Sequence, residues 1–191
     1  MKNPALGDEV VDDIVLPDNA TGADNQQERF SIVSVPSEIG YFLAGFAHGE
    51  GSFMLVCRPR GDYPRGWKIS AAFNVSQRDV VPLELFQRTF RCGTIRRAGN
   101  GGWYYEVNRL SDICTVVIPF FKRFPLVGQK AKDFQLFVEA VELIKVGLDD
   151  DAAYVAVLEI RDRLNNGGKR RYTMEKILRG HTPNVGLEQV R

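Results

Sequence analysis

Residues 43–51 read LAGFAHGEG, inside the longer run GYFLAGFAHGEGSFML of residues 40–55. The apolar residues predict a helix that starts among Ser34, Pro36 and Ser37 and runs through Tyr41, Phe42 and Phe46 to about Gly49. Two features do not suit a plain buried helix. Gly45 and Gly49 each cost about 1 kcal/mol relative to alanine inside a helix. A lone carboxylate, Glu50, then stands where the helix stops.

Beyond Glu50 the period changes from helical to two. Phe53, Leu55 and Cys57 alternate with Met54, Val56, Arg58 and Arg60. After the turn-rich RPRGDYPRGW (58–67), the segment KISAAFNVSQR (68–78) sets Ile69, Ala71, Phe73 and Val75 against Lys68, Ser70, Ala72, Asn74 and Ser76. Such alternation predicts a hairpin with one dry and one polar face. Asp79 is placed to cap a helix over VVPLELFQRTF, ending near Cys92 and Gly93. A second hairpin follows, TIRRA and WYYEV around the turn GNGG. Ser111 is expected to cap DICTVVI, which Pro119 should interrupt. Phe134, Phe137, Val138, Val141 and Ile144 give QKAKDFQLFVEAVELIKVG one apolar stripe. A helix over AAYVAVLEIRDRL, the basic loop NNGGKRR and a last turn MEKILRG capped by Thr173 complete the order. No internal repeat occurs.

Composition narrows the class. With 191 residues, 44% hydrophobic and 26% charged, the chain fits one globular domain and a modest tail. Three cysteines without CxxC spacing read as reduced thiols, and two histidines argue against a zinc site. No run is apolar enough to span a membrane and no leader is evident, so an intracellular protein is expected, in a bacterial cytoplasm or nucleoid or an organelle. The net charge of +1 is unevenly spread: residues 1–30 carry −5, leaving +6 for the remainder. The division expected is an acidic, disordered extension over 1–33, one domain over 34–180, and a tail over 181–191.

Two hairpins separated and flanked by helices give an α+β fold of order αββαββα, with a four-stranded antiparallel sheet and helices on one face. The free face would carry Arg58, Arg60, Lys68, Ser70, Asn74, Ser76, Thr94, Arg96 and Tyr104, with Arg78 just past the second strand. It is a solvated sheet face or a reader of nucleic acid, since a β-ribbon fits the major groove.

The opening run resembles the signature of the LAGLIDADG homing endonucleases, through Leu43, Ala44, Gly45, Glu50, Gly51 and the Ser-Phe continuation. FNVSQRD resembles that family's second-strand ending, with its glutamine at Gln77. PLVGQKAKDF resembles the segment before its long helix, with its lysine at Lys130, and LNNGGKRRYT resembles its C-terminal basic loop. His48 stands where the family name carries an aspartate. The resemblance spans roughly residues 37–179. It implies a saddle-shaped sheet and, with one motif per chain, a homodimer on double-stranded DNA.

In such a dimer Gly45 and Gly49 let two copies of the first helix approach closely. The two Glu50 carboxylates, with the Gly49 carbonyl, would hold Mg2+. The catalytic set implied is Glu50, Gln77 and Lys130. The sheet residues named above would read bases, and Lys169, Arg170 and Arg171 would grip phosphates. Relatives of this fold also act without cleavage, as maturases on their own intron RNA or as transcription regulators, so a non-cleaving binder is the alternative. The acidic extension has no counterpart in the minimal family pattern. It reads as translation from an upstream frame or as a regulatory arm.

Overall fold

The computed structural model describes residues 30–63, 65–99, 101–168 and 170–180. The first helix, α1 (Ser37–Glu50), leads directly into β1 (Gly51–Pro59), which pairs antiparallel with β2 (Trp67–Gln77). Next come α2 (Val81–Phe90), β3 (Thr94–Arg97) and β4 (Trp103–Val107). The helices α3 (Leu110–Asp112) and α4 (Ile118–Arg123) are joined by a π-helical stretch, Ile113–Val117. The long α5 (Gly128–Val146), α6 (Asp151–Arg163) and α7 (Met174–Arg179) complete the described chain. The four strands lie in the order β1-β2-β4-β3, all neighbours antiparallel.

Alternation in the sequence becomes the two faces of this sheet. Phe53, Leu55, Cys57, Ile69, Phe73, Val75, Tyr105 and Val107 are buried under the helices. Phe53 is the hub of the core, with ring centroids of Phe73, Phe121, Phe134 and Phe137 each 5.1–5.5 Å away. Pairs of this kind contribute about 0.5–1.5 kcal/mol beyond their buried area.

Side chains meet the first N–H groups of three helices, at Asp79 and Thr173 as the sequence suggests and also at Asp150. Asp79 Oδ1 accepts from the Val81 N–H at 3.0 Å, Asp150 Oδ2 from Ala153 at 2.8 Å, and Thr173 Oγ1 from Lys176 at 3.2 Å. Two expectations fail together. Pro119 does not interrupt the helical run, and Ser111 does not cap it but sits inside α3. A proline ring clashes with the carbonyl four residues back and supplies no N–H. The wider turn over Ile113–Val117 sits just before Pro119, so the chain stays helical through it.

At the N-terminus the described chain begins at Phe30. Residues 1–29 of the expected extension lie outside the described residues, as does the expected tail at 181–191. Phe30 and Ile32, however, pack against the core, while Val33 stays exposed. Phe30 meets Phe90 edge-on at 6.2 Å, Ile32 opens a short 3-10 turn, and Arg123 Nη1 donates to the Ile32 carbonyl. The packed part therefore begins no later than Phe30.

Candidate active site and nucleic-acid face

Helix α1 buries Gly40, Leu43, Ala44 and Ala47 against its own chain. Its other side is open. Tyr41 is 60% and Phe42 51% exposed, and Gly45, His48, Gly49 and Glu50 are exposed with them. A Cβ placed on Gly45 or Gly49 would meet no atom within 4 Å. Gly40 differs, because a Cβ there would run into the Phe124 ring. The chain's own packing thus requires the first glycine but neither of the next two.

At the junction of α1 and β1, Glu50 ends the helix and the Gly51 N–H closes it on the Ala47 carbonyl. Lys130 enters from the first turn of α5, and its Nζ donates to the Gly51 carbonyl at 2.6 Å. This ammonium is therefore held one residue from Glu50. Register brings Gln77 to the same end of the sheet, since Gly51 pairs with Val75 and Gln77 follows two residues later, opposite Trp103. The Gln77 side chain folds back so that Oε1 accepts from the Arg78 N–H at 2.7 Å, which leaves its amide N–H2 as donor.

The uncovered sheet face is continuous across all four strands. Arg58 lies opposite Lys68, Val56 opposite Ser70, Ser76 opposite Tyr104, and Arg96 opposite Tyr104. Asn74 and Thr94 both register with Glu106, an acid absent from the face expected from sequence. Glu106 accepts from Asn108 Nδ2 at 3.1 Å, and Ser76 Oγ donates to Asn74 Oδ1 at 3.0 Å. Ala72 is buried even though it lies on this side.

Two of the expected DNA contacts are instead engaged within the chain. Arg60 lies past the end of β1 and forms a two-point ion pair with Asp62, which lowers the Asp62 carboxyl and raises the guanidinium. Arg170 turns inward: its Nη2 donates to the Arg161 and Leu164 carbonyls at 2.5 and 2.6 Å, and burial lowers its pKa. Arg171 is exposed, its guanidinium 5.3 Å from the Tyr172 ring centroid, whereas Lys169 lies outside the described residues.

Comparison with known proteins adds to this geometry. A sequence model of the family described as LAGLIDADG endonuclease matches residues 43–141. "Probable intron-encoded endonuclease 2" of Neurospora crassa is 32% identical over 109 residues, covering 56% of this chain and 23% of that protein. An "Uncharacterized 50.9 kDa protein in ND4 intron 1" of Podospora anserina is 32% identical over 109 residues, covering 55% and 24%. The chain therefore spans about a quarter of the length of these curated relatives.

Among solved structures, the I-SmaMI LAGLIDADG homing endonuclease bound to cleaved DNA is 26% identical with a TM-score of 0.64, covering 69% of this chain and 45% of that one. I-SmaMI has also been solved on an uncleaved DNA target in the presence of calcium ions. The homing endonuclease I-TnaI, at 24% identity and a TM-score of 0.65, covers 74% of this chain and 94% of that one and bears on the fold alone. With more than half its length matched and the signature helix meeting the sheet at Glu50, the chain belongs to the LAGLIDADG endonuclease family.

Proposed function

We propose that the chain is a site-specific, intron-encoded DNA endonuclease that acts as a homodimer and makes Mg2+-dependent double-strand breaks at a long, near-palindromic site. The observation that carries this reading is the Lys130 ammonium held at the Gly51 carbonyl, beside the exposed Glu50. A protein that only bound DNA would need neither group there.

The end of α1 offers hard oxygen donors: the Glu50 carboxylate and the last helical carbonyls, which lack intrahelical donors and lie at the negative end of the helix dipole. Oxygen donors of this kind suit Mg2+. Within one chain, no three His, Cys, Asp or Glu residues among the described ones could hold a metal together. One chain would therefore supply half a site, with Glu50 and the Gly49 carbonyl as its ligands, and a second copy and the phosphate oxygens would complete it. Bound there, the ion would stabilise charge on the scissile phosphate and lower the pKa of a bound water.

The remaining work falls to the side chains. Lys130 stabilises negative charge as it develops on the phosphoryl oxygens. Gln77 uses its amide N–H2 to orient solvent at the sheet end. Two α1 helices pack through Gly45 and Gly49, with Tyr41 and Phe42 covering the flanks, and an isologous dimer reads a near-palindrome. Arg58, Lys68 and Arg96 read base edges, helped by Ser70, Asn74, Ser76, Thr94 and Tyr104. Arg171 and Lys169 contact phosphate. Arg78 adds charge at the strand end.

The test uses the full chain with DNA containing the joined exons that flank its own reading frame. Cutting of both strands with Mg2+, abolished by EDTA, is expected. Tight binding without cutting would redirect the reading to a non-cleaving binder, and absence of salt-dependent DNA binding would overturn it.

A further inference from the structure

Strand β1 is an edge of the sheet, so carbonyls on its outer side need donors from elsewhere. Two side chains donate to its carbonyls: Lys130 Nζ to Gly51, and Asn165 Nδ2 to Phe53 at 2.9 Å. Asn165 holds a left-handed backbone, φ 52°, in the turn after α6. That turn is tied to α5 through Asp133, whose Oδ1 accepts from the Asn165 N–H at 3.1 Å and from Gln129 Nε2 at 3.3 Å. Asp133 is only 3% exposed. A cleft of about 400 Å³ opens here, and His48, Lys130, Asp133 and Asn165 line it together.

A carboxylate this deeply buried is costly unless its bonds organise something. Lys130 lies three residues before Asp133, on the same face of α5. Asp133 thus joins the turn that grips Phe53 to the helical turn that delivers Lys130 two residues away on the same strand. We propose that Asp133 and Asn165 are positioning residues for Lys130, fixing the first turn of α5 against β1 so that the ammonium stays beside Glu50. The inference rests on the endonuclease reading above.

The experiment is a double-mutant cycle on the full chain, read by single-turnover cleavage, DNA Kd and thermal midpoint. Asp133→Asn should slow cleavage roughly 10- to 100-fold while Kd stays unchanged, as loss of a positioning group does. In a Lys130→Ala background the same substitution should cost nothing more, because its effect passes through Lys130. Asn165→Gly supplies a second route. Glycine accepts the left-handed turn and keeps the N–H to Asp133, while the bond to Phe53 is lost. It too should slow cleavage only when Lys130 is present.

Equal losses in both backgrounds, or cleavage lost in proportion to DNA affinity, would assign both residues a purely structural role and overturn the inference. If Asp133→Asn does not fold, the Asn165→Gly arm alone decides by the same criterion. A wild-type protein that binds DNA but never cuts would remove the endonuclease reading and this inference with it. That outcome is distinct from additive losses in an active enzyme.

Discussion

Lys130 donates to the carbonyl of Gly51, 79 residues earlier in the chain, at 2.6 Å. The bond joins the start of the long helix to the first residue of the sheet. If the ammonium stabilises the transition state there, Lys130→Met should lower single-turnover cleavage by about 100-fold or more. DNA affinity, measured by fluorescence anisotropy, should hardly change.

Glu50 is the acid at the other side of that junction. Glu50→Gln keeps the size of the side chain and removes its charge. Cleavage should fall to background, and DNA binding should persist or tighten as one carboxylate near phosphate is lost. A variant that cuts at the wild-type rate in Mg2+ would show that the carboxylate holds no catalytic ion.

Side chains at positions 45 and 49 would have open space around them, with no atom within 4 Å of a Cβ at either place, so the protomer itself gains nothing from Gly45 and Gly49. Replacing either with alanine should stabilise the isolated protomer by about 1 kcal/mol through helix propensity. The same change should weaken a dimer packed along α1. Urea melts at low concentration and sedimentation equilibrium measure the two effects separately. A dimer indifferent to both substitutions would place the two-fold axis elsewhere.

On the sheet face, position predicts type of contact. Arg96→Ala should cost about 1–3 kcal/mol and relax preference at one base pair, as loss of a direct contact does. Arg171→Ala should weaken binding evenly across sequences and reduce the salt slope by about 1. Arg60→Ala should do less than either, because Asp62 already engages its guanidinium.

Burial pushes the Cys57 and Cys92 thiols up from the ordinary 9.0 to about 11, and raises Cys114 as well. Burial also raises Tyr154 to about 12. The folded state therefore keeps protons that the unfolded chain gives up. Stability should hold below about pH 9 and fall as pH rises towards 11. Thermal melts across that window check the sign, and alkylation at pH 8 should be slow until denaturant is added.

Much of the fold is legible because a half-buried antiparallel sheet leaves a period of two in its residues. The register places the expected strand residues of the polar face on one side, from Arg58 to Arg96. What escapes depends on contacts between distant segments. Arg170 looks like a surface charge until the Arg161 carbonyl draws it inward, whereas Glu106 shares the face of Tyr104 by alternation alone. The Asp133–Asn165 bond joins residues 32 apart and leaves no periodic trace. Pro119 reads as a helix breaker because the rule assumes an ideal α-helix; the preceding π-helical stretch relaxes that assumption.

Tyr41 and Phe42 stand more than half open to solvent on α1. If that patch is closed only by a twin, then at scarce expression most molecules are inert halves, and the number of competent enzymes grows as the square of the dose. An enzyme built this way would carry its own threshold, active only once enough copies have been made to find one another.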